Sequence, residues 1–369
     1  METTVRKSLH VLVVDDSAVV RQATSALLSR EEDLTVAVAA DPLIAIDKMK
    51  KVRPDVILLD LEMPRMHGLT FLQKVMAEEP VPVVVCSGLT GEGSDLAIRA
   101  MEAGAVAVVT KPKLGVRGFL EESAILLVDS IRGAARARLR RRVQPVSHPA
   151  PKLTADVVLR LPPRYPAAPH SEAVVAIGAS TGGTEALKAF LEEMPESAPG
   201  IAIVQHMPEV FTRAFARRLD QTCRIAVKEA ESGDRIHPGR ALVAAGNRHL
   251  ILKRGSGGYF VQVSEGPLVS RHRPSVDVLF RSVALAAGEN AVGVILTGMG
   301  DDGARGLKEM REAGAATIAQ DEATCVVFGM PREAIELGAV EQVLPLSRIP
   351  AEVLRKAHEK SRRAPAPPV

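Results

Sequence analysis

The first 130 residues alternate short apolar runs with longer segments of mixed polarity. The apolar runs are HVLVV, TVAVAA, DVILLD, VPVVVCS and AVAVVT, the last ending at Thr110. Helix-length stretches separate them, as in a parallel sheet that helices cover on both faces. The pattern predicts an α/β domain with a flavodoxin-like (βα)5 arrangement.

The same alternation returns from residue 172 to about 350. Five further runs have strand character: VVAIGAS, GIAIVQH, AVGVILTG, AATIAQ and EQVLPL. The segments RALVAAGNRHLILKR and GYFVQVSEG are separated by glycine-rich residues and predict an antiparallel hairpin. We therefore expect a second, doubly wound and mainly parallel α/β domain that carries an antiparallel hairpin.

The segment between the two patterns has a different composition. RGAARARLRRR is compatible with the end of a helix, whereas the prolines from Pro145 to Pro169 cannot lie inside one. For the arginines, a solvated helix end is favoured over a docking site for an acidic partner. The predicted boundaries are a first domain at 1–132, an Arg/Pro-rich linker at 133–171, a second domain at 172–350, and a helix end with a disordered tail at 351–369.

Composition narrows the class of protein. Hydrophobic residues make up 46% of the 369 residues, but no apolar segment reaches the roughly 20 residues that span a bilayer. The N-terminal apolar run is too short for a signal peptide, so we expect a cytoplasmic protein without membrane insertion. A net charge of +3 and 3% aromatic residues argue against nucleic-acid binding, and the three cysteines lack zinc-ligand spacing.

Polar residues stand at the carboxyl ends of the strands predicted for the first domain. Asp15 and Asp16 end the first strand, Asp60 the third, Ser87 the fourth and Lys111 follows the fifth. Ligands of such sheets bind at this edge, and three carboxylates that meet there require a cation. Oxygen ligands of this kind suit Mg²⁺. Helix capping explains one of the two adjacent aspartates but not all five positions.

These residues resemble the receiver domain of two-component response regulators over residues 9–130. VVDDS, LLDLEMPRMHG, the CSG segment and TKP stand in the order of that family. The resemblance implies that Asp60 accepts a phosphoryl group from a histidine kinase and that Asp15, Asp16 and Asp60 hold Mg²⁺. It also implies that Ser87 and Lys111 contact the acyl phosphate, where the positive charges would stabilise phosphoryl transfer.

The stretch GASTGG opens the second domain between a predicted strand and a predicted helix. It contains GxSxG, which in this context predicts a nucleophile elbow with Ser180 exposed at the edge of the sheet. The alternative is the phosphate loop of a dinucleotide site, which needs an acidic residue at the end of the next strand. That strand ends instead in Gln205 and His206, and a histidine there is placed to act as a general base.

A carboxylate completes this hypothesis. Asp301 and Asp302 lie in a glycine-rich turn after a third strand, and either would orient the imidazole of His206 and stabilise the imidazolium. Helix capping is the simpler interpretation for each aspartate alone, but not for the combination with Ser180 and His206. The order Ser, His, Asp differs from that of α/β-hydrolases, so GxSxG does not assign that fold here.

The second domain resembles the catalytic domain of the CheB chemotaxis methylesterases over residues 172–348. ASTGG, QHMP, HRPSVDVLF, TGMGDDG and FGMPREAI occur in the family's order. The resemblance implies Ser180 as nucleophile, His206 as base, Asp302 as its orienting carboxylate, and an oxyanion site near Thr181 and Met299. The stretch 272–277 would border the same cleft, although its first two residues fit a surface role equally well.

Together these features predict a protein-glutamate methylesterase that phosphorylation activates. By resemblance it would demethylate, and deamidate, chemoreceptors, with a CheA-type histidine kinase as phosphodonor and Mg²⁺ in the receiver only. A receiver that covers the Ser180 cleft would release it on phosphorylation. Two alternatives remain open at this point: a degenerate domain that only binds receptors, and a phosphate or nucleotide binder that uses GASTGG.

Overall fold

The computed structural model describes residues 8–63, 68–87, 91–111, 117–137, 152–161 and 172–362. The chain forms two compact units, Met1–Gln144 and Pro145–Val369. Parts of the MPRMHG, CSG and TKP motifs, most of the predicted linker and the tail from 363 lie outside the described residues. Among the described helices, none combines the length and the apolar character that a membrane crossing requires.

The first unit is a five-stranded parallel sheet with the strand order β2-β1-β3-β4-β5. Its strands are β1 (Leu9–Val14), β2 (Leu34–Ala39), β3 (Val56–Asp60), β4 (Val83–Ser87) and β5 (Ala107–Thr110). Its helices are α1 (Ala18–Leu28), α2 (Pro42–Lys51), α3 (Gly68–Glu78), α4 (Gly91–Glu102) and α5 (Arg117–Ala135). The predicted flavodoxin-like arrangement is confirmed.

The sequence explains where two helices of this unit begin and why its central strand is buried. Ser17 and Asp41 cap the first two helices through side-chain oxygens that accept from Val20 N and Ile44 N. β3 is buried at every position, as expected for a central parallel strand that helices cover on both faces.

The second unit contains a seven-stranded sheet ordered β15-β14-β13-β6-β7-β10-β8 and a three-stranded sheet ordered β11-β12-β9. Its strands are β6 (Val174–Ala179), β7 (Gly200–Gln205), β8 (Ala226–Glu229), β9 (Arg235–Ile236), β10 (Arg240–Val243), β11 (His249–Gly255), β12 (Gly258–Ser264), β13 (Ala291–Ile295), β14 (Ala316–Gln320) and β15 (Gln342–Leu344). Its helices are α6 (Gly183–Glu192), α7 (Glu209–Thr222), α8 (Val276–Ala286), α9 (Ala304–Glu312), α10 (Met330–Glu336) and α11 (Ile349–Arg362), with 3-10 turns at Ala155–Val157, Gly288–Asn290 and Leu346–Arg348.

The predicted mainly parallel sheet and the hairpin are both present, but RALV is placed differently and two short strands, β8 and β9, were not predicted. The segment RALV, predicted as the start of the hairpin, forms β10 and pairs in parallel with β7 and β8. The hairpin itself consists of β11 and β12. β8 was not predicted, because AVKE is only four residues long, has a single buried position and has no continuous apolar run.

The topology of the large sheet determines where its polar strand ends meet. β6 lies between β7 and β13 and pairs in parallel with both. The chain runs to one side of β6 for β7 and to the other side for β13, so the strand order reverses at β6. Such a switch point leaves a crevice at the carboxyl ends of the strands, where α/β proteins bind ligands.

Candidate active site

Ser180 lies in the tight turn between β6 and α6. Its backbone N–H donates to Thr297 O at 3.0 Å, and its carbonyl accepts from Gly183 N at 2.7 Å. Gly182, just before the helix, has φ +76°, a conformation that glycine adopts without steric cost, and a Cβ there would lie 2.5 Å from Cβ of Val326. The sharp strand-to-helix turn expected around the serine is therefore present.

His206 follows the adjacent strand in the same register. Ala179 of β6 pairs with Gln205 of β7, so Ser180 and His206 both come directly after a paired position. His206 N donates to Ala179 O at 3.0 Å. The Gln205 side chain donates to the carbonyls of Ser180 at 2.9 Å and His206 at 3.1 Å, which ties the two loops together.

Asp302 forms the buried partner of His206. The Nε2–Oδ2 distance is 2.8 Å, and the side chains are 8% and 0% exposed. His206 Nδ1 is buried, and within the described part of the chain no group bonds to it. Asp301 points elsewhere, since its carboxylate pairs with Lys152 and is 40% exposed. Of the two adjacent aspartates, only Asp302 contacts the imidazole of His206.

The N-terminus of α8 holds the Asp302 carboxylate. Oδ1 accepts from Ser275 Oγ at 2.7 Å and from Asp277 N at 3.0 Å, while Oδ2 accepts from Val276 N at 2.8 Å. Burial alone would raise the pKa of Asp302, but the hydrogen bond and charge of His206 and these backbone donors hold it at about 2. The Asp302 carboxyl is therefore ionised near pH 7.

Asp277 supports this arrangement from the other side of the helix terminus. Oδ1 accepts from Gly303 N at 3.0 Å and Gly306 N at 2.8 Å, and Oδ2 accepts from Ser270 Oγ at 3.0 Å. Burial and the nearby charge of Asp302 raise the pKa of Asp277 to about 7. Asp277 thus fastens the loop that carries Asp302 to α8.

His272 stacks on His206. The ring centroids are 3.7 Å apart with an interplanar angle of 5°, and Nδ1 of His272 donates to Ser270 O at 2.9 Å. Burial, assisted by the charge of His206, lowers the pKa of His272 to about 3, so this ring is neutral near pH 7. Arg273 instead donates to Asn247 Oδ1 through Nε at 3.0 Å and Nη2 at 2.7 Å. Of His272 and Arg273, only His272 contacts His206.

His206, His272 and Asp302 bring one potential ligand atom each within 4.8 Å of one another, a spacing that a metal ion could use. The rings are nearly parallel, so their in-plane nitrogen lone pairs do not converge on one point. Both oxygens of Asp302 already accept protein hydrogen bonds. The arrangement fits an imidazole–carboxylate pair better than a metal centre.

Thr181 and Met299 flank Ser180. A Cβ at Gly298 would lie 2.8 Å from Cβ of Ser180, so the loop after β13 approaches the serine closely. Thr297 Oγ1 donates to the carbonyl of Thr181 at 3.0 Å. Within the described residues, the backbone N–H groups of Thr181 and Met299 donate to no protein acceptor. These two N–H groups are therefore unoccupied donors in the loops that follow β6 and β13.

A cleft of about 600 Å³ opens at the same edge of the sheet, where α7 begins. Met207 and Pro208 join His206 to this helix. The charged residues that line the cleft include Glu209, Arg213, Glu229 and Arg248. The cleft lies along the ends of β10 and β8, and its lining includes neither Ser180 nor His206.

The first unit has its own polar group at the carboxyl edge. Lys111 Nζ lies 2.6 Å from Asp60 Oδ2 and 3.1 Å from Asp15 Oδ2. Asp15, Asp16 and Asp60 each bring a carboxylate oxygen within 4.8 Å of the others. Ser87 ends β4, is fully buried, and accepts from Lys111 N at 3.0 Å through its carbonyl. All five predicted positions lie at this edge.

Burial and charge oppose each other at Asp60. Burial raises the pKa of the Asp60 carboxyl, and the Lys111 ammonium only partly offsets this. Burial alone would lower the pKa of Lys111, yet the bond to Asp60 and the charge of Asp15 raise it. Lys111 is therefore a stable cation in contact with two buried carboxylates, which suits a residue that neutralises a phosphoryl group.

Gln205 and Thr297 were not predicted as site residues, and Ser275 was predicted only as part of the stretch 272–277 that borders the cleft. Ser275 caps α8 and bonds to Asp302 with the same hydroxyl. A serine directly before VDVLF is a capping signal that the sequence displays, but its second role depends on a contact with a distant loop. Thr297 accepts from Val327 N at 2.9 Å, a contact equally invisible in the sequence.

Fold and sites together define a class: a response-regulator-like α/β unit joined to an α/β unit with a Ser, His and Asp group at its topological switch point. Residues 175–353 match the family model described as CheB methylesterase, and residues 11–115 match that of the response regulator receiver domain. The chain belongs to the CheB methylesterase family.

Two relatives illustrate the similarity. The chain is 58% identical over 351 residues to protein-glutamate methylesterase/protein-glutamine glutaminase 3 of Geobacter metallireducens, covering 95% of this chain and 99% of the relative. It is 61% identical over 346 residues to enzyme 1 of that name from Anaeromyxobacter dehalogenans, covering 94% and 98%. The crystal structure of the Thermotoga maritima CheB methylesterase catalytic domain is 40% identical, covers 50% of this chain and 98% of that one, and gives a TM-score of 0.49.

Proposed function

We propose that this protein hydrolyses glutamate methyl esters, and deamidates glutamine side chains, on chemoreceptors. The main support for the proposal is that the two ring nitrogens of His206 have different environments. Nε2 bonds to the buried Asp302 at 2.8 Å, and Nδ1 has no partner among the described residues. Since the strand register places Ser180 beside His206, Nδ1 is the nitrogen left to accept the serine proton.

The mechanism follows from these contacts. Ser180 Oγ attacks the ester carbonyl while His206 Nδ1 takes its proton, and Asp302 stabilises the imidazolium. The oxyanion receives hydrogen bonds from the backbone N–H groups of Thr181 and Met299. The His206 imidazolium then protonates the leaving methoxide oxygen, so that neutral methanol departs, and water cleaves the glutamyl ester of Ser180 by the reverse proton path. A glutamine substrate follows the same course with ammonia as leaving group.

The reaction needs a surface beyond the reacting residues, because the substrate is a protein. The cleft that starts at Glu209 presents charges of both signs at the same edge of the sheet. Such a lining suits the polar face of a receptor segment, with the target side chain directed toward Ser180. This makes a hydrolase a better account than a nucleotide site, which would require an acidic residue where Gln205 and His206 stand.

The first unit would supply regulation. Asp60 would accept a phosphoryl group from a histidine kinase of the CheA type, with Ser87 and Lys111 contacting the acyl phosphate. The three carboxylates of Asp15, Asp16 and Asp60 are hard oxygen donors that converge within 4.8 Å, so they fit Mg²⁺. The bound ion would neutralise charge on the phosphoryl oxygens.

The test is methanol release from a methylated receptor fragment by the full-length protein. We expect release by the wild type and a loss of at least about 10³-fold in kcat for Ser180→Ala, because the nucleophile is removed. Ser264→Ala, which changes a serine of β12, should keep the wild-type rate. Receptor binding without methanol release by the wild type would favour the binding-module alternative and contradict the proposal.

A further inference from the structure

Residues 152–161 belong to the predicted linker, yet they pack on the second unit. Ala155 is 3% exposed and lies in an apolar cluster with Ile251, Val269 and Val278. Val158 and Leu159 are partly buried against the same cluster. A flexible linker has no need of such burial, which removes apolar surface from water on both sides of the contact. We call residues 152–161 the docked segment.

A buried guanidinium anchors the docked segment. Arg281 of α8 has a side chain that is 5% exposed, and its Nε donates to Glu309 Oε2 of α9 at 2.7 Å. Nη2 donates to the other oxygen of Glu309. Nη1 donates to Asp156 Oδ1 at 2.8 Å and to Leu159 O at 2.9 Å. A buried guanidinium requires partners for its N–H groups, and the docked segment supplies two of them.

The docked segment also supports the turn that presents His272. Leu153 O accepts from Ser270 N at 2.8 Å. Ser270 and Arg271 have φ values of +49° and +70°, which are unfavourable for residues with a Cβ. Backbone of this kind persists where surrounding contacts hold it. The hydrogen bond that Ser270 N donates to Leu153 O is one of those contacts. The ring of His272, at the end of the turn, stacks on His206.

A second contact reaches the loop that carries the carboxylate of the site. Lys152 Nζ forms an ion pair with Asp301 Oδ1, and the side chains are 31% and 40% exposed. Asp301 directly precedes Asp302, which bonds to His206. The ammonium of Lys152 is also close enough to contribute to the lowered pKa of His272. One short segment therefore touches both loops that meet at the imidazole of His206.

We propose that the docked segment is a working part of the hydrolase site, and that Lys152 is a positioning residue that fixes the loop of Asp302 through Asp301. The inference rests on the function proposed above. Lys152 holds a carboxylate next to the catalytic pair and does not touch the reacting atoms. Its removal should therefore lower kcat and leave KM unchanged, because substrate binding does not use it.

The kinetic test uses the full-length chain. We expect Lys152→Met to lower kcat about three- to fivefold, the range for a partly exposed ion pair, and Lys152→Arg to restore most of it. In an Asp301→Asn background, Lys152→Met should add no further loss, because its partner is already gone. A raised KM with unchanged kcat, or full additivity of the two changes, would overturn the positioning role.

Lys356→Met is the matched control. Lys356 of α11 pairs with Glu341 at 2.7 Å, and Glu341 precedes β15, so this ion pair lies at the opposite, amino edge of the sheet. The variant loses an ion pair of the second unit without touching the loops around His206. It should retain the wild-type kcat. An equal loss of kcat in Lys152→Met and Lys356→Met would contradict the proposal.

Hydrogen–deuterium exchange provides a readout that does not depend on activity. In the wild-type chain we expect slow exchange across 153–159 and at Ser270 N, and faster exchange in the 300–303 loop once Lys152→Met is introduced. Exchange of the docked segment at the rate of an unstructured peptide, or an identical pattern in wild type and variant, would refute the proposal. Because this measurement needs no substrate, it separates failure of docking from failure of the esterase function.

Discussion

At the scale of single residues, the two stacked imidazoles make different hydrogen bonds, although Nδ1 of His272 also lies 3.9 Å from Asp302 Oδ2. His272 donates through Nδ1 to the carbonyl of Ser270, and its burial keeps it neutral. His206 donates through Nε2 to a carboxylate that is ionised over the whole neutral range. Only His206 combines a charged partner with a second nitrogen directed at no other described group. His272 therefore fits the role of a neutral flat surface that holds the ring of the base.

The low pKa of His272 predicts a pH dependence of stability that can be assigned to this residue. The folded-state pKa of about 3 lies below the usual 6.5, so between these values the unfolded chain binds more protons. The contribution of His272 to stability must therefore fall as pH falls below about 6.5, while that of Asp277, whose pKa is raised to about 7, changes in the opposite direction. We expect the unfolding free energy of the wild type to drop by about 1 kcal/mol between pH 7 and 5.5 from this group.

Urea unfolding of the second unit at the two pH values would test this expectation. The His272→Gln variant should lack this part of the slope, because glutamine does not titrate. His237→Gln removes an exposed histidine and should keep the wild-type slope. The same slope in the wild type and in His272→Gln would contradict the low pKa.

At the scale of elements, the N-terminus of α8 organises the site. Two backbone N–H groups and the capping hydroxyl of Ser275 converge on the Asp302 carboxylate, so the helix places its positive end at a buried negative charge. The carboxylate in turn fixes the helix against the loop after β13. One helix terminus thus stabilises the charge that the base requires.

Removing the capping hydroxyl of Ser275 tests whether it serves only the stability of α8 or also the position of Asp302. Ser275→Ala should destabilise the second unit by about 1–2 kcal/mol, because both the cap of α8 and a bond to a buried carboxylate are lost. It should also lower kcat by roughly tenfold, as Asp302 loses one of its donors. Urea unfolding and methanol release measure the two effects.

Ser17→Ala offers the matched control, since Ser17 caps α1 with the same 3.4 Å bond to a backbone N–H that Ser275 makes in α8. It should destabilise the first unit without lowering basal kcat. Loss of stability without loss of kcat in Ser275→Ala would show that the hydroxyl serves the helix alone.

The residues at the carboxyl ends of the strands could be predicted from the sequence. Contacts between segments far apart in the chain could not. Ser180, His206 and Asp302 could be placed together because each follows an apolar run whose parallel neighbours are readable from the pattern. β10 could not be assigned to the large sheet, because RALV reads as well in a hairpin as in a short parallel strand. The docked segment was missed for a similar reason, since Ala155 becomes buried only against Val269 and Val278, far away in sequence.

At the scale of the whole molecule, the two units carry separate chemistry at equivalent places. Each uses the carboxyl edge of a parallel sheet: Lys111 with Asp15 and Asp60 in the first, and His206 with Asp302 in the second. The first group combines an ammonium with carboxylates, whereas the second pairs an imidazole with a carboxylate. In the function proposed above, the first unit would receive a signal and the second would carry out the reaction.

This division predicts that phosphorylation changes the rate through Asp60 alone. An acyl-phosphate donor with Mg²⁺ should raise methanol release by the full-length wild type several-fold. Chelation of Mg²⁺ should remove the increase and leave the basal rate, since the proposed hydrolysis runs through Ser180, His206 and Asp302. Asp60→Asn keeps the size of the side chain but lacks the acceptor carboxylate, so its basal rate should persist without any response to the donor. Lys74→Ala, which breaks an exposed ion pair with Glu78 on α3, should respond like the wild type. A donor response that survives in Asp60→Asn would show that the rate change does not pass through the first unit, because that variant has no phosphoryl acceptor at the centre of its acidic group.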